Sequence, residues 1–255
     1  MWSYRRWRRT RYLKHARIDA QTLAAALFRL PFLRPLTTDE RSRLTDLSLL
    51  FLHEKVIEPV QGLKLDEVDH LVIALQACLP IVNLDLDWYD GWKSVIVYPE
   101  EFVSEHDDED EIGVVHHVEE IRSGESWLHG PVILAWDGIS DPAAFPDHNL
   151  VIHEFAHKLD MLNGDANGFP PLHGNMRISD WAAAFTRAYA DFEKRVDQDE
   201  AMPIDPYAAE SPAEFFAVLS EVFFVAPQHL VALYPEVYQQ LVAFYRQDPV
   251  TRRAG

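Results

Sequence analysis

The sequence predicts an α+β fold, predominantly helical, with one small β-sheet. Two patterns lead there. Apolar residues recur at three- and four-residue spacing toward both ends of the chain, while β-branched runs are confined to the middle. A few strands followed by packed helices indicate this arrangement more than a doubly wound sheet, and no glycine-rich phosphate loop occurs, so nucleotide binding has no support. The chain has 255 residues, 48% hydrophobic and 25% charged, which is enough to bury a large core in one domain or two. Its single cysteine, Cys78, excludes a disulfide framework and any cysteine-rich metal module. No apolar run approaches the roughly 18 residues of a transmembrane span. These features predict a soluble protein of a reducing compartment, the cytoplasm, with no membrane span.

The elements follow in order. Residues 1–17 form a basic aromatic arm, with Arg5, Arg6, Arg8, Arg9, Arg11, Lys14 and Arg17 interleaved with Trp2, Tyr4, Trp7 and Tyr12. Its ordinary fate is a frayed terminus folded back on its own acidic body. Cations among aromatics also suit phosphate or a membrane surface. Residues 38–57 read as a helix capped by Thr38, with Leu44, Leu47, Leu50 and Phe51 on one face. A second helix covers 66–79, ended by Pro80, with Val68, Leu71, Val72, Leu75 and Cys78 facing inward; Cys78 there is core. Strands are expected at 94–98, 113–121 and 131–136, with a turn at Ser123, Gly124 and Glu125. The acidic run 105–111 reads as a solvated loop, and as a calcium site only weakly. Helices return at 150–162, 180–196, 212–225 and 235–246, the first capped by Asn149 and ended by Asn163-Gly164.

Charge limits the partners. The chain carries a net −18, but residues 1–17 hold seven cations and no acid. The remaining 238 residues therefore hold 16 basic against 41 acidic side chains, a net of −25. A body this acidic should repel both nucleic acid phosphate and anionic lipid.

The chemistry lies in Val151 to Asp160, which contains His153-Glu154-Phe155-Ala156-His157 on a helix. Histidines four apart share a helix face and can offer two nitrogens to one zinc ion. Glu154 is then placed beside a water on that zinc, whose pKa would fall from 15.7 to about 7. It would take the water's proton as the oxygen attacks a carbonyl and deliver it to the leaving amine. Asp160, three residues past His157, is a candidate acceptor for an imidazole N–H, or an ordinary surface acid. Zinc needs a third ligand. Position 163 is Asn163, so the short-spaced third histidine of some such enzymes is absent. His116, His117, His129, His148 and His173 cannot be judged from sequence. Glu214, among small and apolar residues, is the better candidate and Glu221 the alternative. Ser211, Pro212 and Glu214 also spell a capping box, an ordinary reason for that glutamate.

These residues carry a resemblance. HEFAHKLDMLNGDANG at 153–168 and DPYAAESPAEFFAVLSEVFF at 205–224 are similar to the Mlc titration factor A family of zinc metallopeptidases. QACLPIVNLDLDWYDGW at 76–92, VIVYPEEF at 95–102 and SGESWLHGPVILAW at 123–136 extend the likeness over about residues 35–249. The arm at 1–17 falls outside it. The resemblance implies a zincin-like core similar to the protease domain of anthrax lethal factor, with a helical region at 18–92 packed on a core at 93–255. It implies one zinc per chain held by His153, His157 and Glu214, with Glu154 as base and Tyr207 as a donor to the oxyanion. The implied activity is peptide hydrolysis, with aminopeptidase action as its narrower form. The implied alternative is a regulatory protein that sequesters a transcriptional repressor of the Mlc type.

Overall fold

The computed structural model describes residues 2–100, 130–140 and 148–252. Its helices are α1 (Trp2–His15), α2 (Ala20–Arg29), α3 (Thr38–Glu54), α4 (Glu67–Cys78) and the short α5 (Asp137–Ser140). They continue with α6 (Leu150–Asp160), α7 (Ile178–Asp197), α8 (Pro212–Val225), α9 (Pro227–Leu233) and α10 (Pro235–Tyr245). Strands β1 (Val56–Pro59), β2 (Ser94–Tyr98) and β3 (Val132–Ala135) form a parallel sheet in the order β1-β2-β3. The mostly helical α+β expectation therefore holds. The strand expected at 113–121, the turn after it, the acidic run 105–111 and His116, His117 and His129 lie outside the described residues.

Five of the ten described α-helices begin where a side chain satisfies a first free N–H group. Thr37, not Thr38, caps α3, in a reciprocal capping box with Glu40. Asp66 and Asp69 do the same for α4, and the Asn149 side chain accepts from Ile152 N at the start of α6. The helix expected to reach residue 57 stops at Glu54. Lys55 turns inward and donates to the Tyr89 and Trp92 carbonyls, and Val56 to Pro59 pair with Ser94 to Val97 instead. Buried Val95, Val97, Val132 and Leu134 give the sheet an apolar face, and α6 packs beside β3.

Helix α6 lies at the centre. Val151, Ile152, Phe155, Ala156 and Leu159 are buried, and the helix packs against α8 on one side and α4 on another. Phe155 sits in an aromatic cluster with Phe51, Tyr89 and Trp92, at ring-centroid distances of 5.1–5.7 Å from the three. Trp181 of α7 stacks on Phe185 at 4.3 Å and meets Phe216 of α8 and Phe244 of α10. Buried Cys78 belongs to this core, and burial pushes its thiol pKa well up, away from reactivity.

The N-terminal segment is a helix rather than a frayed end. Arg9 enters the body, where its guanidinium forms a two-pronged pair with Glu54 (2.9 and 2.9 Å) and reaches Asp87 at 2.6 Å and Asp85 at 3.2 Å. Arg5 pairs with Asp90 on the same side. Docking through charge explains why no apolar stripe in residues 1–17 marked a helix. Among the described residues, no helix is long and apolar enough to cross a membrane.

Candidate metal centre

Helix α6 presents His153 and His157 on one face, and α8 brings Glu214 to meet them. His153 Nε2 and His157 Nε2 are 3.1 Å apart, and Glu214 Oε2 lies 3.0 Å from the first and 3.3 Å from the second. A tetrahedral metal with bonds of 2.0–2.1 Å requires ligand atoms about 3.3 Å apart. The three atoms thus nearly fit one face of such a tetrahedron. They are also the described His/Cys/Asp/Glu group suited to hold a metal ion. Two imidazole nitrogens and a carboxylate oxygen crowded at these distances are electron-rich, and a cation between them satisfies all three.

The surrounding bonds fix where these atoms point. His153 Nδ1 faces Glu221 Oε1 at 2.7 Å; a carboxylate only accepts, so Nδ1 carries the proton and Nε2 faces the centre. Glu221 Oε2 accepts from Asn149 N at 2.6 Å, and the Asn149 amide donates to Gln76 of α4 at 2.7 Å. Gln76, Asn149, Glu221 and His153 are all buried, so this chain is held away from water. Glu221, the alternative ligand in the sequence reading, sits behind His153 rather than at the centre.

Asp160 departs from expectation. Its Oδ2 accepts from Asn167 N (2.8 Å) and Gly168 N (2.7 Å), which folds the 160–168 loop against the end of α6. Among the described residues, the buried side-chain polar atoms with no partner are Asp160 Oδ1 and His157 Nδ1. The imidazole acceptor of the sequence reading is therefore supplied by Glu221 to His153, while Asp160 organises a loop. That loop reaches α8, because Gly168, at φ +75°, lies against the carbonyl of Pro212.

Glu214 combines two roles that the sequence offered as alternatives. Ser211 caps α8 by accepting from Glu214 N at 3.1 Å. The Glu214 carboxylate turns to the histidines instead of completing a reciprocal box. Burial disfavours its charge, but His153 and His157 outweigh burial and hold its pKa at about 2. For His153 burial likewise opposes the charged form, and bonding to Glu214 and Glu221 wins, raising its pKa to about 10 in the metal-free chain.

Glu154 faces a cavity of 610 Å³ that also meets His148, Asp205, Tyr207 and Val218. Burial pushes its pKa up, opposed by the nearby histidines. Tyr207 is half exposed, 6.2 Å ring to ring from His153, on a short turn where its own N–H donates to the Asp205 carboxylate. Burial and then the charges of Glu214, Glu210 and Glu154 raise its phenol to about 12, so it stays a donor. His148 lies 3.5 Å from Asp205 at the cavity, whereas His173 is tied to the Phe244 carbonyl at 2.8 Å, away from it. Lys158, next to His157, donates to the Gly130 carbonyl and ties α6 to the segment before β3.

A helical scaffold that places an H-E-x-x-H helix against a glutamate from a second helix defines a metallopeptidase-like protein. Residues 4–246 match the glucose-regulated metallo-peptidase M90 family, and the chain belongs to it. Its relatives include proteins named Mlc titration factor A. That of Escherichia fergusonii is 42% identical over 88% of this chain and 85% of its own length. Those of Cronobacter sakazakii (42%, over 89% and 86%) and Escherichia coli (41%, over 88% and 85%) are similar.

Proposed function

We propose that the chain is a zinc-dependent peptidase of the cytoplasm, with His153, His157 and Glu214 as zinc ligands and one zinc per chain. The observation that carries this is the near-tetrahedral spacing of three donor atoms beside the carboxylate of Glu154. Two imidazoles and one carboxylate suit zinc and leave a position open for chemistry. Bound there, zinc supplies Lewis-acid polarisation of the scissile carbonyl and a more acidic water. A Glu154 carboxylate oxygen then removes the proton from the attacking water and passes it to the leaving amine nitrogen. The Tyr207 hydroxyl donates to the carbonyl oxygen as negative charge develops on it. Glu221 keeps His153 in one tautomer throughout.

Aminopeptidase action is the narrower form of the proposal. It rests on the family resemblance; Asp205 on the cavity wall, which caps Tyr207 N and faces His148, adds negative charge near the site. The test is Glu154→Gln, which retains the three ligands but removes the proton acceptor. Peptide hydrolysis should fall by about 10²–10⁴ with metal content unchanged. An undiminished rate would remove Glu154 from the mechanism. A second reading, sequestration of a repressor-type protein, draws on the relatives' names. On that reading Glu154→Gln keeps partner binding while hydrolysis is lost.

A further inference from the structure

We propose that the outer face of α1 binds anionic membrane surfaces, laying this acidic protein against phospholipid headgroups. The helix is docked by Arg9, which is 8% exposed, and by Arg5, so the acids that hold it all lie on its inner side. Roughly 140–160° around the helix from Arg9 stand Tyr4, Trp7, Arg11 and Lys14. Tyr4 is 65% exposed and Trp7 53%. Their rings stack at 5.9 Å, with the Arg11 guanidinium 5.5 Å from the Trp7 centroid. Beside this stripe, Arg8, Arg11, His15 and Arg17 line a shallow 500 Å³ groove closed by Tyr12 and Leu49. Among the described residues no acid lines that groove, in a chain with a net charge of −18.

This chemistry fits a bilayer better than a nucleic acid. Exposed Trp and Tyr flanked by Arg and Lys match the headgroup boundary, where amphipathic rings sit with cations beside them. Base stacking needs an open ring face, and Trp7 already carries Tyr4 and Arg11. The acidic body does not forbid contact, because at physiological salt its field decays within about 8 Å while the α1 face touches the surface directly. A flat surface meets one face of a docked helix without unfolding it. Attachment through so few residues is reversible.

The full chain is mixed with vesicles of phosphatidylcholine alone or with 30 mol% phosphatidylglycerol (roughly a bacterial anionic fraction), and sedimented. Binding to the anionic vesicles only, lost at high salt, is the expected result. Neutralising Arg8, Arg11 and Lys14 together to Gln should weaken it about a hundredfold. Tyr4→Ser with Trp7→Ser should weaken it several-fold while leaving metal content unchanged. Trp7 emission, taken as the difference from Trp7→Phe, should shift blue on binding. Equal affinity for neutral vesicles, binding to neither, or full retention by the folded triple variant would overturn the proposal. So would tighter binding to a DNA duplex at equal phosphate concentration.

Discussion

Gly168→Ala should loosen the metal centre from outside it. At φ +75° a side chain is strained by about 1–2 kcal/mol. The added Cβ would also lie 2.4 Å from the Pro212 carbonyl oxygen and 3.0 Å from its carbon. Neither the loop nor α8 can give way without cost. Gly168 N is bound to Asp160, its carbonyl accepts from Trp181 Nε1 at 3.2 Å, and Pro212 opens α8. Relieving the overlap needs a shift of about 1 Å toward an ordinary C···O contact, at about 1–3 kcal/mol. About 0.4–1 kcal/mol returns through the stiffer unfolded chain. The net loss is about 1–5 kcal/mol, or roughly 2–20 °C in Tm for a chain of this size. Glu214 is two residues past Pro212, and a shift near 1 Å far exceeds the roughly 0.2 Å tolerance of a metal–ligand bond. Metal content by elemental analysis should therefore fall along with Tm. Gly164→Ala is the control, because its φ of +145° strains a side chain while nothing lies within 4 Å of the new Cβ. It should lower Tm and keep the metal. If Gly168→Ala kept both its metal and a Tm within about 2 °C of wild type, the contact would not position Glu214 and the reasoning would fail.

Other perturbations separate the supporting contacts. Glu221→Gln keeps the size of the group behind His153 but removes its charge, and should lower metal affinity about 10–100-fold, read by competition with a chromogenic chelator. Metal-free protein should show a stability limit in alkali. His153 is raised to about 10, so its stabilising charge is complete below the unfolded value near 6.5 and disappears as pH rises through 10. Glu214, lowered to about 2, contributes above its unfolded value and loses that contribution as pH falls toward 2. Thermal melts across pH should show both limbs in chelator-treated protein, and the alkaline limb should vanish on metal loading, which requires His153 neutral. Arg9→Met should leave Glu54, Asp85 and Asp87 without their shared cation. Those acids are partly exposed, which discounts the loss to about 1–3 kcal/mol. Faster proteolysis within residues 1–15 would mark α1 undocking.

What the sequence disclosed about the site depended on how far each contact reaches along the chain. The two histidines were legible because a helix alone places i and i+4 together. Glu214 was ambiguous because its atoms serve both candidate roles: its N–H receives the Ser211 cap while its carboxylate faces the imidazoles. Glu221 was misplaced because a buried carboxylate in an apolar helix shows a need for a partner without identifying it, and its partners Asn149 and His153 are 72 and 68 residues away. Asp160 was left open in the sequence between an imidazole acceptor and a surface acid. Its spacing from His157 suggested the imidazole, but two backbone N–H groups of a nearby loop took one of its oxygens. The fold shows the same division. Helices α3, α4, α6, α7, α8 and α10 announce themselves by periodicity. Strand β1 was hidden because Val56 and Ile57 continue the helical pattern until Lys55 and the pairing with β2 override it. Helix α1 was hidden because it docks through an arginine. The residues that shape the centre from behind are therefore the ones least visible in the sequence. Substitutions at Glu221 and Gly168 discriminate the architecture of the site better than substitutions at the histidines, because the histidines would be required by any H-E-x-x-H site.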